Sequence, residues 1–186
     1  MSAEFVPAPP VIAGKRIILG HADGSVNALD MLTGERVWRA YTSGRIQSSP
    51  TVWKDRVFVS SCDGHLYAFS LADGKEIWRL RIAKSAGRMM VYDQLGSRWP
   101  AVSSPIIHGD RVVASAGLVG HIDGVVTVCA DAASGEILWE RDDWNNAEES
   151  GRISGGAQFA SAKDTLLYHG GMAPPIQIDP SDGKCG

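Results

Sequence analysis

Short apolar runs alternate with polar turn signals along almost the whole chain. Runs such as Arg56-Val57-Phe58-Val59 and His65-Leu66-Tyr67-Ala68-Phe69 are rich in β-branched and aromatic residues, which is strand composition. No stretch sustains the apolar period of a helix, and the pattern predicts at most one helical turn, over Arg88 to Leu95. Asp-Gly pairs at 23–24, 63–64 and 123–124 suit tight hairpins, because glycine accepts the positive φ such turns require. A later glycine, at 34, 74, 135 and 183, marks a second turn before a strand such as Glu76-Ile77-Trp78-Arg79-Leu80.

These elements repeat. Shifted by 40 residues, Pro10 to Leu19 lies over Pro50 to Val59, and Asp23-Gly24, Ala28, Gly34 and Trp38 fall on Asp63-Gly64, Ala68, Gly74 and Trp78. A third copy starts at Ser103-Ser104-Pro105 and closes with Asp131, Gly135 and Trp139. A fourth begins near Phe159 and ends with Asp179 and Gly183. The turn glycines are separated by 40, 61 and 48 residues, and the extra residues fall around 83–102, 116–123 and 142–151. Insertions thus sit in connections and leave the repeated strands intact. A unit of about four short strands in about 40 residues is the size of one propeller blade. The expected architecture is an all-β propeller of four-stranded blades, one partial domain over 1–186, with blades near 9–42, 49–82, 104–141 and 158–186.

The segment Ala28-x-Asp30-x-x-Thr33-Gly34-x-x-x-Trp38 resembles the tryptophan-docking motif of the pyrroloquinoline-quinone-like (PQQ-like) β-propeller repeat family. That family includes quinoprotein alcohol dehydrogenases and an outer-membrane assembly lipoprotein. The second copy departs at Ser70 and Asp73, the third has Cys129 in the alanine place, and the fourth has Gln177 there. The motif assigns structural roles to Ala28, Asp30, Gly34, Trp38, Ala68, Gly74, Trp78, Asp131, Gly135, Trp139, Asp179 and Gly183. In physical terms, each tryptophan packs across to the neighbouring blade and needs a small residue to leave it room, a place that Ala28, Ala68 and Cys129 suit. The glycine-to-tryptophan spacing puts a fourth tryptophan at 187, beyond Gly186, so the sequence is expected to be about half a ring cut from a longer protein. The remainder of that protein, or a second copy, would close it.

Composition narrows the function. With 186 residues, 44% hydrophobic and 21% charged, the chain is not broadly disordered. Eighteen basic against twenty-one acidic residues give a net charge of −3, which argues against a chain-wide nucleic-acid field. No apolar run approaches the roughly 18 residues of a membrane span, and MSAEFVPAPP has no signal-peptide pattern. The compartment is not readable from the residues; the family resemblance implies the periplasm or cell envelope.

Catalytic patterns are absent. Cys62, Cys129 and Cys185 are isolated, without the adjacent Cys-Cys pair found beside the cofactor in quinoprotein dehydrogenases. The five histidines are scattered, and no carboxylate run has the spacing of a Ca²⁺ loop. PQQ with calcium is therefore expected only if the complete protein is a dehydrogenase.

Recognition chemistry concentrates in the insertions. Arg88, Tyr92, Gln94, Arg98 and Trp99 in one, and Trp144 in the acidic other, are the candidate partner-binding residues. The basic and acidic insertions can equally pair with each other. The sequence is thus read as a non-catalytic scaffold offering inter-blade loops to a protein or small-molecule ligand. A fragment of a PQQ-dependent dehydrogenase and a module for chain–chain assembly are the alternatives.

Overall fold

The computed structural model describes residues 8–91, 94–118, 124–142, 158–169 and 175–184. The first sheet runs in chain order through β1 (Val11–Ala13), β2 (Arg16–Gly20), β3 (Ser25–Asp30) and β4 (Arg36–Tyr41). The second repeats it with β5 (Thr51–Trp53), β6 (Arg56–Ser61), β7 (His65–Ser70) and β8 (Glu76–Arg81). A two-stranded ribbon, β9 (Arg88–Val91) and β10 (Gln94–Ser97), follows where one helical turn was expected. The four paired positions from Arg88↔Ser97 to Val91↔Gln94 satisfy backbone groups across the ribbon instead of along a helix.

The third sheet comprises β11 (Ile106–His108), β12 (Arg111–Gly117), β13 (Val125–Asp131) and β14 (Ile137–Arg141). Three strands, β15 (Gln158–Ala162), β16 (Thr165–His169) and β17 (Ile176–Ile178), make the fourth among the described residues. All pairings are antiparallel, and the sheets follow one another without closing into a ring. The first strands β1, β5, β11 and β15 approach one another and mark the inner side.

Burial explains the hydrophobic pattern. The middle strands are covered on both faces by neighbouring sheets, so β6, β7, β12 and β13 are buried almost continuously. The outer strand β4 has one face covered, and only Trp38 and Ala40 are buried there. One apolar cluster joins Ile18, Val26 and Trp38 of the first sheet to Val57, Val59, Tyr67 and Phe69 of the second. A second joins Phe58 and Leu66 to Val112, Val126 and Val128, and a third joins Val113 and Trp139 to Leu166, Tyr168 and Ile178.

The joints between sheets have a common geometry. The Trp38 ring lies on Gly74, Trp78 on Gly135, and Trp139 on Gly183; a Cβ added at these glycines would approach the ring within 2.6, 2.7 and 2.8 Å respectively. All three glycines have φ between +72 and +77°. The small residue receiving each ring is therefore the turn glycine of the next sheet. Ala28, Ala68 and Cys129, expected in that place, are instead the cross-strand partners of Trp38, Trp78 and Trp139 within the same sheet. A one-residue bulge follows each pair and leaves Val37, Ile77 and Leu138 unpaired and exposed.

Polar contacts fix the turns. Asp30 accepts from the amides of Thr33 and Leu32, Asp131 from the amide and hydroxyl of Ser134 and the amide of Ala133, and Asp179 from the hydroxyl and amide of Ser181. These bonds hold the Asp30, Asp131 and Asp179 carboxyls below their ordinary range. The Nε1 of Trp38 donates to Leu71 O and that of Trp139 to Pro180 O, both at 3.0 Å. The same two carbonyls accept from Arg16 and Arg111 of the preceding sheets.

Candidate binding cleft

A cleft of about 410 Å³ opens at the hairpin end of the second sheet. One wall is the exit from β4, at Ser43, Gly44 and Arg45. Its floor is the β6–β7 hairpin, with Cys62, Asp63, His65 and Tyr67, and Arg79 and Arg81 project into it from β8. The other wall comes from the insertion, through Ser85–Arg88 and Gly96–Ser97.

Strand periodicity builds the arginine face. In β8 the side chains alternate, so Trp78 and Leu80 pack on the cluster shared with the third sheet while Arg79 and Arg81 point the other way. Arg79 lies opposite Tyr67, and Arg81 opposite His65. The insertion is held against this face by its backbone. Ile82 and Ala83 donate to Gly64 O, Ala101 to Ser61 O, and Arg98 to Gly87 O.

The floor is anchored by Asp63. Its carboxylate accepts from Tyr67 Oη at 2.6 Å, from the Ser43 amide at 3.2 Å and from the His65 amide at 3.0 Å. Burial first, and the bond to Asp63 second, push the Tyr67 phenol above its ordinary range. Tyr67 also stacks nearly parallel on Phe69, with ring centroids 5.8 Å apart.

Burial also governs the thiols. It pushes Cys62 up to about 11 and Cys129 up to about 12, from an ordinary value of 9.0. Ionisation alone then predicts that, in a Cys185→Ser variant at pH 8, Cys62 reacts roughly a hundredfold and Cys129 roughly a thousandfold more slowly in the native protein than in urea. Timed thiol labelling measures this, and equal rates would contradict it. The unfolded thiols ionise near pH 9.0 while the folded ones stay protonated to about 11 and 12, so this contribution to stability is present below pH 9 and is lost as pH rises through that window.

The candidate residues separate in space. Arg88 is exposed and lines the cleft. Gln94 pairs with Val91 on the ribbon, and Arg98 follows β10 with its stem against Gly87. Tyr92 and Trp144 lie outside the described residues. Trp99 does not present a recognition surface: it is 7% exposed and packs in the cluster containing Leu66, Ala83, Ala101 and Val126. The pinned backbone on either side of the ring turns it into the gap between the second and third sheets. Basic and acidic insertions do meet, through an ion pair between Lys84 and Asp142.

Arg45, Arg79 and Arg81 were not among the expected site residues. The alternation Trp78-Arg79-Leu80-Arg81 carried the signal for two of them.

A PQQ–calcium site would need clustered oxygen donors and the adjacent cysteine pair. Among the described residues no group of three or more His, Cys, Asp or Glu is placed to hold a metal ion, and Cys62 and Cys129 are free thiols. The described residues do not fit that group.

The family model described as outer membrane protein assembly factor BamB matches residues 1–184. The chain belongs to the BamB family. Its fold is a partial PQQ-like β-propeller. BamB from Moraxella catarrhalis superposes with a TM-score of 0.69 at 16% identity, over 100% of this chain and 53% of that one. Quinohemoprotein alcohol dehydrogenase from Comamonas testosteroni superposes at 0.75 and 18% identity, over 97% of this chain and 34% of that one. The quinohemoprotein alcohol dehydrogenase ADHIIG from Pseudomonas putida HK5 gives 0.74 and 15%, over 96% and 33%. The chain therefore spans about half the length of that BamB and about a third of the two dehydrogenases. No curated protein sequence matches it. No helix among the described residues is long and apolar enough to cross a membrane.

Proposed function

We propose that this chain is part of a non-catalytic binding scaffold that presents its inter-sheet loops to a protein or small-molecule ligand. The observation that carries this reading is the 410 Å³ cleft between the second sheet and the insertion. Its volume lies in the range of sites that enclose ligands, and its walls are loops and strand ends mounted on rigid sheets. Arg88 lines it, and Tyr92, Gln94, Arg98 and Trp144 are the further candidate contact residues. The description of the family as an outer membrane protein assembly factor supports a protein partner and a place in the cell envelope, on its periplasmic side. The tryptophan–glycine joints serve as the docking devices that hold the scaffold's sheets together, and the rest of a longer chain or a second copy completes the ring.

A photo-crosslinking residue at Ala86, which lines the cleft, should give a discrete adduct in the native cells. The same residue at Leu32, exposed in the turn at the opposite end of the strands, should not. Absence of adducts at Ala86, or equal adducts at both positions, would remove the reading. Likeness to two dehydrogenases favours one other reading, a part of a PQQ-dependent dehydrogenase whose cofactor residues lie outside this chain. Turnover of alcohols or sugars by the full-length protein supplied with PQQ and Ca²⁺ would establish it in place of the scaffold.

A further inference from the structure

We propose that the cleft is an anion site for a small molecule carrying at least two carboxylate or phosphate groups. The proposal rests on the binding reading above and names the chemistry of its ligand.

Four arginines from three separate elements line one cleft: Arg45 from the exit of β4, Arg79 and Arg81 from β8, and Arg88 from β9. One carboxylate, Asp63, faces them. Its oxygens are already engaged by the Tyr67 hydroxyl and by the amides of Ser43 and His65, with His65 Nδ1 a further 3.3 Å contact. Glu76 stands 3.8 Å from Arg79 in an exposed pair and offsets that charge in part. Arg81 and Arg88 have no carboxylate partner among the described residues. A concentration of positive charge therefore persists in a chain whose net charge is −3.

Convergent like charges are held at an electrostatic cost that an anion would remove, and a concave wall focuses their field on what enters. Guanidinium groups suit this task because their planar forks donate two parallel hydrogen bonds to carboxylate or phosphate oxygens. Arginines on separate elements favour a ligand whose charges are spaced rather than a single ion. The 410 Å³ volume matches a small molecule more closely than an extended chain.

The test titrates the full-length protein with citrate and separately with pyrophosphate at low ionic strength, by calorimetry. Saturable one-to-one binding of at least one probe is expected, weakened about tenfold by Arg81→Ala and by Arg88→Ala. Arg36→Ala, which removes an exposed charge from β4 outside the cleft, should leave the affinity unchanged. Preference for citrate assigns a carboxylate ligand, and preference for pyrophosphate a phosphate. Matching unfolding curves for the four proteins keep a folding defect from passing as a lost site. Failure of both probes to saturate, or equal weakening by Arg36→Ala, would overturn the proposal. So would binding of hexaglutamate at least about tenfold tighter than either probe, which would point to an acidic protein segment. Adducts at Ala86 with no saturable binding of either probe would sink the anion assignment while the binding reading stood.

Discussion

Gly74→Ala is expected to destabilise the protein by about 2–5 kcal/mol, whereas Gly34→Ala should cost only about 1–2 kcal/mol. Both glycines end the same kind of turn at φ +72°, so an alanine pays the same backbone penalty at each. The difference lies in what a new methyl group would touch. At Gly34 nothing stands within 4 Å, whereas at Gly74 it would lie 2.6 Å from Trp38 Cε3. That ring has little freedom to withdraw, because Nε1 donates to Leu71 O and the opposite side packs in the cluster with Val26 and Tyr67. For a chain of this length each kcal/mol moves the melting temperature by roughly 2–4 °C, so thermal unfolding resolves the two variants easily. In a Trp38→Leu background the penalty at Gly74 should fall toward that at Gly34. Equal penalties in the parent protein would show that the turn conformation alone accounts for these glycines.

Trp99→Ala is expected to cost about 3–5 kcal/mol, while Arg88→Ala should change stability by less than about 0.5 kcal/mol. The two residues belong to one insertion and differ in surroundings. Truncating Trp99 leaves a cavity between the second and third sheets, where Leu66, Ala101 and Val126 cannot close it without moving both sheets. Arg88 is exposed and supports no apolar neighbour in that cluster. Urea unfolding of both variants measures the contrast. A Trp99→Ala protein as stable as its parent would mean that the insertion is dispensable for the fold and would return the ring to the list of contact residues.

The repeat made the architecture legible, because strand, hairpin and turn signals depend on residues close together in sequence. Asp30 and Thr33, for example, act on the turn that contains them. Contacts between sheets were harder to read. The glycine at 74 announced a turn, but that it also receives the ring of Trp38 follows only from how sheets stack. Arg16 and Arg111 were visible as repeated positions without any sign that each reaches a carbonyl of the following sheet. Aromatic residues in an insertion resemble recognition residues in composition, and backbone pinning at Gly64 and Ser61 decided that Trp99 went inward. The cleft draws on two repeats and an insertion, so no single motif encodes it. Arg88 was recognisable from its setting, whereas Arg79 and Arg81 carried only the signal of strand alternation and were not singled out.

The tryptophan–glycine joint also has a direction. Each ring reaches forward, from one sheet to the turn of its successor, and never back. A ratchet of this kind gives the array a polarity: every junction is asymmetric, and each repeats the sense of the last. Adding a unit creates one new junction and leaves the existing ones undisturbed, so gene duplication can lengthen such an array without redesigning it. The same rule sets how two arrays can join. Only a head-to-tail junction keeps that sense, because a two-fold face-to-face pairing sets like surface against like and an asymmetric joint cannot form there.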